Sequence, residues 1–413
     1  MASRDVAVGP TAALALIRSR DFGPYFVGNA LSSSGTWFQN LAASLFVYRL
    51  THSAFLLGIL AAAQFAPVLL LMPWTGLAAD RFDRRHVLLA TQIVAALLSG
   101  TLALLAWGGL AAVWVVIVFS LALGVCSAFA APTSGALVGQ LVPPRDLPSA
   151  VALNSMTYNL ARAIGPVLGA VVVHSLGIPA AFGLNSASYL ALVLGLLIVH
   201  VRPQERIDHR ELHLRASLRF VRDEPRLLAL LAVITAVGFA SDPVNTLAPA
   251  FAHAFGQVDT KAGFMIGVFG AGAVAAAFTI AGRVTGSRTR LAGTLLLLGG
   301  GIVALCLSPW LQLAYIFLSV AGFGYLASNT SATTRLQLGV AESQRGRIMA
   351  LWSVAFLGLR PVASLIDGAL AGAFGVRVAG VCLALPAIAC AALILRLRDR
   401  PLASRRPVTV PPS

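Results

Sequence analysis

Long apolar runs separated by short charged turns fill most of the 413-residue chain. A helix of about 20 apolar residues crosses the hydrocarbon core of a bilayer, and it satisfies its own backbone hydrogen bonds there. The pattern therefore predicts an all-α membrane protein with twelve transmembrane helices. The predicted spans are residues 22–48, 54–78, 86–108, 113–138, 149–176, 180–199, 227–251, 262–281, 291–307, 311–336, 348–374 and 376–397.

The basic residues between these spans predict their orientation, because short loops rich in Lys and Arg stay on the cytoplasmic side. With the N-terminus inside, 25 basic residues fall on the cytoplasmic side, whereas only Arg49, Lys261 and Arg377 fall in outer loops. We therefore expect both termini in the cytoplasm and a multi-pass location in a bacterial inner membrane. The absence of a small-residue cleavage site before residue 22 favours an uncleaved first helix.

The longest polar interval, residues 201–226, divides the predicted spans six and six. It predicts an N-terminal half over residues 1–200, a cytoplasmic linker, and a C-terminal half with a short basic tail over residues 227–413. Within the linker, Leu214, Leu218 and Val221 recur at helical spacing between arginines. This spacing predicts an amphipathic helix on the anionic inner leaflet, although a solvated linker explains it equally well.

Composition excludes several other classes of protein. Hydrophobic residues make up 58% of the chain and charged residues 11%, against about 25% charged residues in soluble domains. The net charge of +15 is spread over membrane-flanking turns, so it does not indicate a nucleic-acid surface. Lys261 is the single lysine and follows Thr260, which excludes the Gly-Lys-Ser/Thr of an ATPase P-loop. We expect no enzymatic activity, no metal and no cofactor.

A ten-residue charged turn, residues 76–85, separates the second and third spans. Its glycine, aspartate and arginines, Gly76, Asp80, Arg81, Arg84 and Arg85, resemble the signature loop between helices 2 and 3 of major facilitator superfamily transporters. The family pattern has glycine where this chain has Asp83. The resemblance implies that these residues control exchange between the alternating-access states.

A second pattern lies in the fifth span, where Gly165 and Pro166 are followed by Gly169. Proline removes a helical hydrogen bond, and glycines let a neighbouring helix approach closely. The segment resembles the antiporter motif of exporters in the same superfamily, which implies a conformational role. Ordinary helix packing explains the three residues about as well.

Four further segments, residues 151–155, 159–162, 214–221 and 344–352, resemble the subgroup of enterobactin exporters and macrolide efflux pumps. This resemblance implies a secondary active transporter that exports an amphiphilic small molecule, drug or siderophore-like, by proton antiport. The implied partners are the substrate, protons and the lipid bilayer, for a monomer that binds no nucleic acid. The alternatives are a lysophospholipid flippase of the same fold and a non-transporting membrane scaffold or sensor.

Polar stripes on apolar helices are the candidates for a substrate cavity. Asn29, Ser33, Thr36 and Asn40 recur at helical spacing and share one face of the first span. Such stripes line either a water-filled path or a hydrogen-bonded contact between helices. The other candidates lie in spans 5, 10 and 11 and are Asn159, Arg162, Asn329, Thr333 and Arg360.

Charged residues inside spans are costly, at least about 2.5 kcal/mol each, and therefore informative. Asp242 and Asp367 are the two intramembrane carboxylates and the candidates for proton coupling. Asp242 is preferred because its polar neighbours and Pro243 predict a helix break, although it could instead cap that broken helix. Arg162 and Arg360 predict an anionic or zwitterionic substrate, unless they bond adjacent helices.

Overall fold

The computed structural model describes residues 10–202, 224–280, 287–341 and 344–396, and within these ranges the chain is helical without strands. A 3₁₀ turn, Pro144–Asp146, and a π-helical segment, Val354–Gly358, interrupt the α-helices. The helices are α1 (Pro10–Ile17), α2 (Gly23–Thr51), α3 (Ala54–Leu70), α4 (Met72–Arg81), α5 (Arg84–Trp107), α6 (Val113–Leu141), α7 (Leu147–Leu176), α8 (Ile178–Ile198), α9 (Pro225–Thr246), α10 (Ala248–Ala254), α11 (Lys261–Ile280), α12 (Arg288–Leu307), α13 (Leu311–Leu338), α14 (Arg345–Ser353), α15 (Arg360–Phe374) and α16 (Val376–Arg396).

Ten helical segments in the described ranges are long and apolar enough to cross a membrane. The first two expected spans do not meet that standard. Helix α2 is long enough, but its polar stripe lowers its hydropathy. The second span is divided at Leu71 into α3, with 17 residues, and α4, with 10. A multi-pass, all-helical membrane protein is therefore confirmed, whereas the count of twelve spans and their orientation remain predictions.

Two other expected spans also contain breaks. The seventh is divided at Leu247 into α9 and α10, five residues beyond Asp242. The eleventh contains the π-helical segment between α14 and α15. Pro361 follows that segment and has no N–H to donate, which favours a new helix start there. As a result, Arg360 becomes the first residue of α15.

The chain forms two compact units. Unit 1 comprises residues 1–208 with 257–267, and unit 2 comprises residues 209–256 with 268–413. The predicted amphipathic helix around Leu214 lies outside the described residues.

The core of unit 1 is built around α2, which packs along α8. A methyl group at Gly28 would lie 2.8 Å from Leu192 Cα, and one at Gly195 would lie 2.5 Å from the carbonyl oxygen of Pro24. The two backbones therefore touch directly.

In unit 2, α12 packs equally closely on α13, where a methyl group at Gly301 would lie 3.0 Å from the backbone nitrogen of Ala321.

Candidate functional site

A polar cavity of about 410 Å³ lies within unit 1, between α2, α5, α6, α7 and α8. It reaches the surface beside α7, where Ser155, Tyr158 and Asn159 are exposed. Four predicted cavity residues, Asn29, Ser33, Thr36 and Asn159, are among those that line it. The lining side chains are hydroxyls, amides, aromatic rings and small apolar groups, and they carry no formal charge.

Helix α2 joins the cavity walls through three hydrogen bonds, each to a different helix. Asn29 Nδ2 donates to Asn154 Oδ1 on α7 at 2.9 Å, and Ser32 Oγ donates to the side-chain oxygen of Gln92 on α5 at 2.9 Å. The hydroxyls of Thr36 and Tyr189 on α8 lie 3.0 Å apart. Buried polar groups that are paired in this way give a rigid, defined cavity wall.

Asn40 and Arg162 lie close to the cavity but do not line it. Asn40 is one turn of α2 beyond Thr36, and its backbone carbonyl accepts a hydrogen bond from Ser44 Oγ at 3.0 Å. The Arg162 guanidinium lies 5.6 Å from the ring centre of Trp37, which is a lining residue. Arg162 therefore makes a cation–π contact with the cavity wall.

The Gly165-Pro166 segment of α7 is packed between α2 and the first turns of α11. A methyl group at Gly165 would lie 2.7 Å from Trp37 Cβ, and one at Gly169 would lie 2.8 Å from Phe38 Cβ. On the other side, Gly263 of α11 packs against the carbonyl oxygen of Pro166. Both glycines of the motif are thus required for close helix approach, and the contact reaches the helix that carries the polar stripe.

Three residues of the signature loop, Gly76, Asp80 and Arg81, lie on α4. A methyl group at Gly76 would meet nothing within 4 Å, so packing in this structure does not require glycine there. Arg81 is exposed. The side chain of Asp80 lies outside the described part of the structure, so the role that the resemblance implies for it stays a prediction.

Arg84 and Arg85 anchor the first turn of α5 to other helices of unit 1. Arg84 donates to the carbonyl of Ala136 on α6 at 3.3 Å. Arg85 donates at 3.0 Å to the carbonyl of Leu197, in the last turn of α8. A cation is favoured at the C-terminus of α8, because the last carbonyls of a helix lack helical partners.

Asp83, which replaces the family glycine, is the N-cap of α5. Its carboxylate accepts a hydrogen bond from the backbone N–H of His86 at 3.0 Å. Its backbone, with φ −61° and ψ 120°, has an extended conformation that needs no glycine. Partial burial raises the pKa of Asp83, but the hydrogen bonds and the charge interaction with His86 outweigh it and bring the pKa below its usual value.

A buried ion pair joins α9 to α15 in unit 2. Arg360 Nε lies 3.3 Å from Asp242 Oδ1. The second carboxylate oxygen of Asp242 accepts hydrogen bonds from the hydroxyls of Ser364 at 2.8 Å and Thr246 at 2.9 Å. The sequence predicts proton coupling for Asp242 and a place in the substrate cavity for Arg360. The structure pairs the two residues, so the charge of Arg360 is compensated.

Asp367 lies two turns beyond Arg360 on α15 and is fully buried. Neither of its carboxyl oxygens has a hydrogen-bond partner among the described residues. The two proton-coupling candidates therefore have opposite surroundings. Three side chains donate hydrogen bonds to Asp242, and no described residue donates one to Asp367.

The remaining two candidates lie on α13. Thr333 Oγ1 accepts a hydrogen bond from the indole N–H of Trp352 on α14 at 2.8 Å. Asn329 is half-buried, and its side-chain oxygen has no hydrogen-bond partner within the described ranges. Thr333 thus serves a helix contact in this structure, whereas Asn329 retains an available acceptor.

The sequence profile of the transmembrane secretion effector family matches residues 11–409. The chain belongs to this family of the major facilitator superfamily. Among curated relatives of this secretion effector is the enterobactin exporter EntS of Shigella boydii, 27% identical over 88% of this chain and 91% of the relative. The staphyloferrin A transporter of Staphylococcus aureus is 26% identical, over 48% of this chain and only 53% of its own length.

Solved transporter structures share the fold of this secretion effector at low identity. A bacterial homologue of the human lysosomal transporter Spinster, in an inward-facing and unoccupied conformation, aligns with a TM-score of 0.75 at 15% identity. The alignment covers 96% of this chain and all of that one. The nucleoside transporter NupG aligns with a TM-score of 0.71 at 13% identity, over 94% and 99% of the two chains. The relatives and structural neighbours are transporters and not enzymes.

Gln92 and Tyr189 are among the cavity residues that the sequence did not indicate. Each is an isolated polar residue on an otherwise apolar helix, and each hydrogen-bonds the polar face of α2. A periodic stripe of polar residues identified α2 as a wall of the cavity, and α5 and α8 have no such stripe. The one signal available was that burying a lone amide or hydroxyl is costly, so that each of the two side chains requires a hydrogen-bond partner on another helix.

Proposed function

We propose that this protein is a secondary active exporter of amphiphilic small molecules, located in a bacterial inner membrane and driven by proton antiport. The observation that carries the proposal is the polar cavity inside the helices of unit 1. Neutral hydrogen-bonding groups beside aromatic and small apolar side chains suit a ligand that is partly polar and partly apolar. A scaffold has no need of such a cavity.

The substrate class follows from the charges near the cavity. Arg360 pairs with Asp242 and therefore gives no support to the anionic substrate that the sequence predicted from it. Arg162 remains beside the cavity wall, and the lining residues include no carboxylate. We therefore expect neutral or anionic amphiphiles to bind better than lipophilic cations. The names of the enterobactin and staphyloferrin A relatives support siderophore-like acids as the first molecules to test.

Uptake into inside-out membrane vesicles tests this proposal. Iron-free enterobactin is the neutral siderophore probe, and tetraphenylphosphonium is the cationic one. Energised vesicles that contain the protein should accumulate enterobactin in preference to tetraphenylphosphonium. A labelled lysophospholipid in the same assay tests the flippase alternative. If only the lipid moves, the protein is a flippase, and if no compound moves faster than in empty vesicles, the export proposal fails.

The cavity itself is tested with Asn29→Ala, which removes the bond to Asn154 and one wall group. A hydrogen bond from this wall group to the substrate contributes about 1 kcal/mol, so we expect the apparent affinity for a transported probe to fall about fivefold. The matched control is Ser175→Ala, because Ser175 is exposed near the end of α7 and bonds only its own helix. Equal effects of the two substitutions would contradict a substrate role for the cavity.

A further inference from the structure

The buried carboxyl groups of α9 and α15 are arranged so that one is stabilised as an anion and the other is not. Asp242 receives hydrogen bonds from two hydroxyls and pairs with a guanidinium. Asp367 is equally buried, and its oxygens accept no hydrogen bond from any described residue. An ionised carboxylate without partners in an apolar interior is strongly disfavoured, whereas the neutral acid carries little such cost.

Arg360 is poorly placed to neutralise Asp367. The two residues are seven positions apart on α15, which is about 10 Å along the helix axis. Helical side chains lean toward the N-terminus, so the guanidinium points away from Asp367 and toward Asp242. Ser364 lies between them on the same face, and its hydroxyl also donates to Asp242.

The other titratable groups near Asp367 do not supply a stable countercharge. The Cys306 thiol on α12 and the Asp242 carboxylate on α9 interact electrostatically with Asp367, and neither group is a cation. Arg377 on α16 donates to the carbonyls of Cys306 and Ser308. The π-helical segment, Val354–Gly358, carries no titratable side chain.

We propose that Asp367 is the residue that takes up and releases the exchanged proton, and that Asp242 and Arg360 form a permanently charged pair beside it. This proposal rests on the proton-driven export proposed above. In the exchange step the O–H bond of the Asp367 carboxylic acid breaks, the proton passes to water, and the carboxylate remains. Uptake of a proton on the other side of the membrane reverses the step.

Proton release from Asp367 would favour a change of conformation. In the packing seen here the new carboxylate would be fully buried without a hydrogen-bond donor among the described residues. A conformation that opens the contacts of α15 to water would be favoured by the ionised form, and the closed packing by the neutral form. The protonation state and the conformation are then linked by a coupling free energy, as antiport requires.

Infrared spectroscopy of the purified protein in lipid nanodiscs tests the proton on Asp367 without any substrate. Wild type should show the carbonyl stretch of a buried protonated carboxylic acid at neutral pH, and that band should disappear in Asp367→Asn. Asp367→Glu should retain a shifted band. Ser364→Ala, which removes a donor from Asp242 alone, should leave the band in place. A wild type without the band, or a band that survives in Asp367→Asn, would overturn the proposal.

Transport in proteoliposomes tests the coupling, again with iron-free enterobactin as the probe. Asp367→Asn should still move the probe down its gradient but should lose the accumulation driven by a pH gradient. Normal pH-driven accumulation in Asp367→Asn would also overturn the proposal. If wild type moves no enterobactin, the export of that probe fails, and the infrared result still decides whether Asp367 holds a proton.

Discussion

At the scale of single residues, Gly169 leaves no room for a larger side chain unless its neighbours move. A methyl group there would lie 2.8 Å from Phe38 Cβ and 2.9 Å from the Phe38 carbonyl oxygen. Overpacking of this kind costs about 1 to 3 kcal/mol. We therefore predict that Gly169→Ala lowers the thermal unfolding temperature in detergent. Gly135→Ala on α6, where nothing lies within 4 Å, is the control and should be neutral or stabilising. Equal melting temperatures would contradict the packing of α7 on α2.

Asp83 makes a second prediction at this scale. Asp83→Ala removes the N-cap of α5 and should cost about 1 kcal/mol at neutral pH, whereas Asp83→Asn keeps an acceptor and should cost less. The pKa of Asp83 is lowered from 3.8 in the folded protein, so its stabilising charge is fully present above that value. The difference between wild type and Asp83→Ala should shrink as the pH falls below about 4 in thermal unfolding. A difference that grows toward acid would contradict this.

At the scale of helices, the contact between α9 and α15 depends on the Asp242–Arg360 pair. Removing one partner of a buried pair leaves the other uncompensated, at a cost of about 3 kcal/mol. We predict that Asp242→Asn and Arg360→Gln each destabilise the protein strongly. The double variant should lose clearly less than the sum of the two, because neither charge is then left alone. A double-mutant cycle in thermal unfolding measures this, and strict additivity would show that the two side chains do not interact.

The sequence predicted the positions of most membrane helices but not all the breaks inside them. Apolar length predicted most of the membrane segments, because bilayer thickness imposes that length directly. The break at Leu71 and the π-helical segment were not located by it, because apolarity does not report local backbone geometry. The break after α9 was anticipated from Pro243, and the helix ends three residues later at Thr246. The pairing of Asp242 with Arg360 was missed for a related reason. The two residues are 118 positions apart, and only the packing of α9 on α15 brings them together.

At the scale of the whole molecule, antiport requires that substrate binding and proton exchange are coupled. We propose that the cavity of unit 1 binds the substrate and that Asp367 in unit 2 carries the exchanged proton. The sequence resemblance predicted the superfamily correctly, and it also pointed to Asp80 as a residue that controls conformational exchange. We predict that Asp80→Asn slows transport while equilibrium binding of a transported probe stays nearly intact. Normal flux of this variant in proteoliposomes, with binding measured on the same purified protein, would contradict that role.

The most direct test of the central claim is to measure substrate and proton movement together in proteoliposomes. Iron-free enterobactin is added outside, and a pH indicator in the external medium records protons. Antiport predicts that enterobactin entry through wild type acidifies the external medium, and that Asp367→Asn abolishes the proton signal while entry continues. Enterobactin entry through wild type without proton release would contradict proton-coupled export.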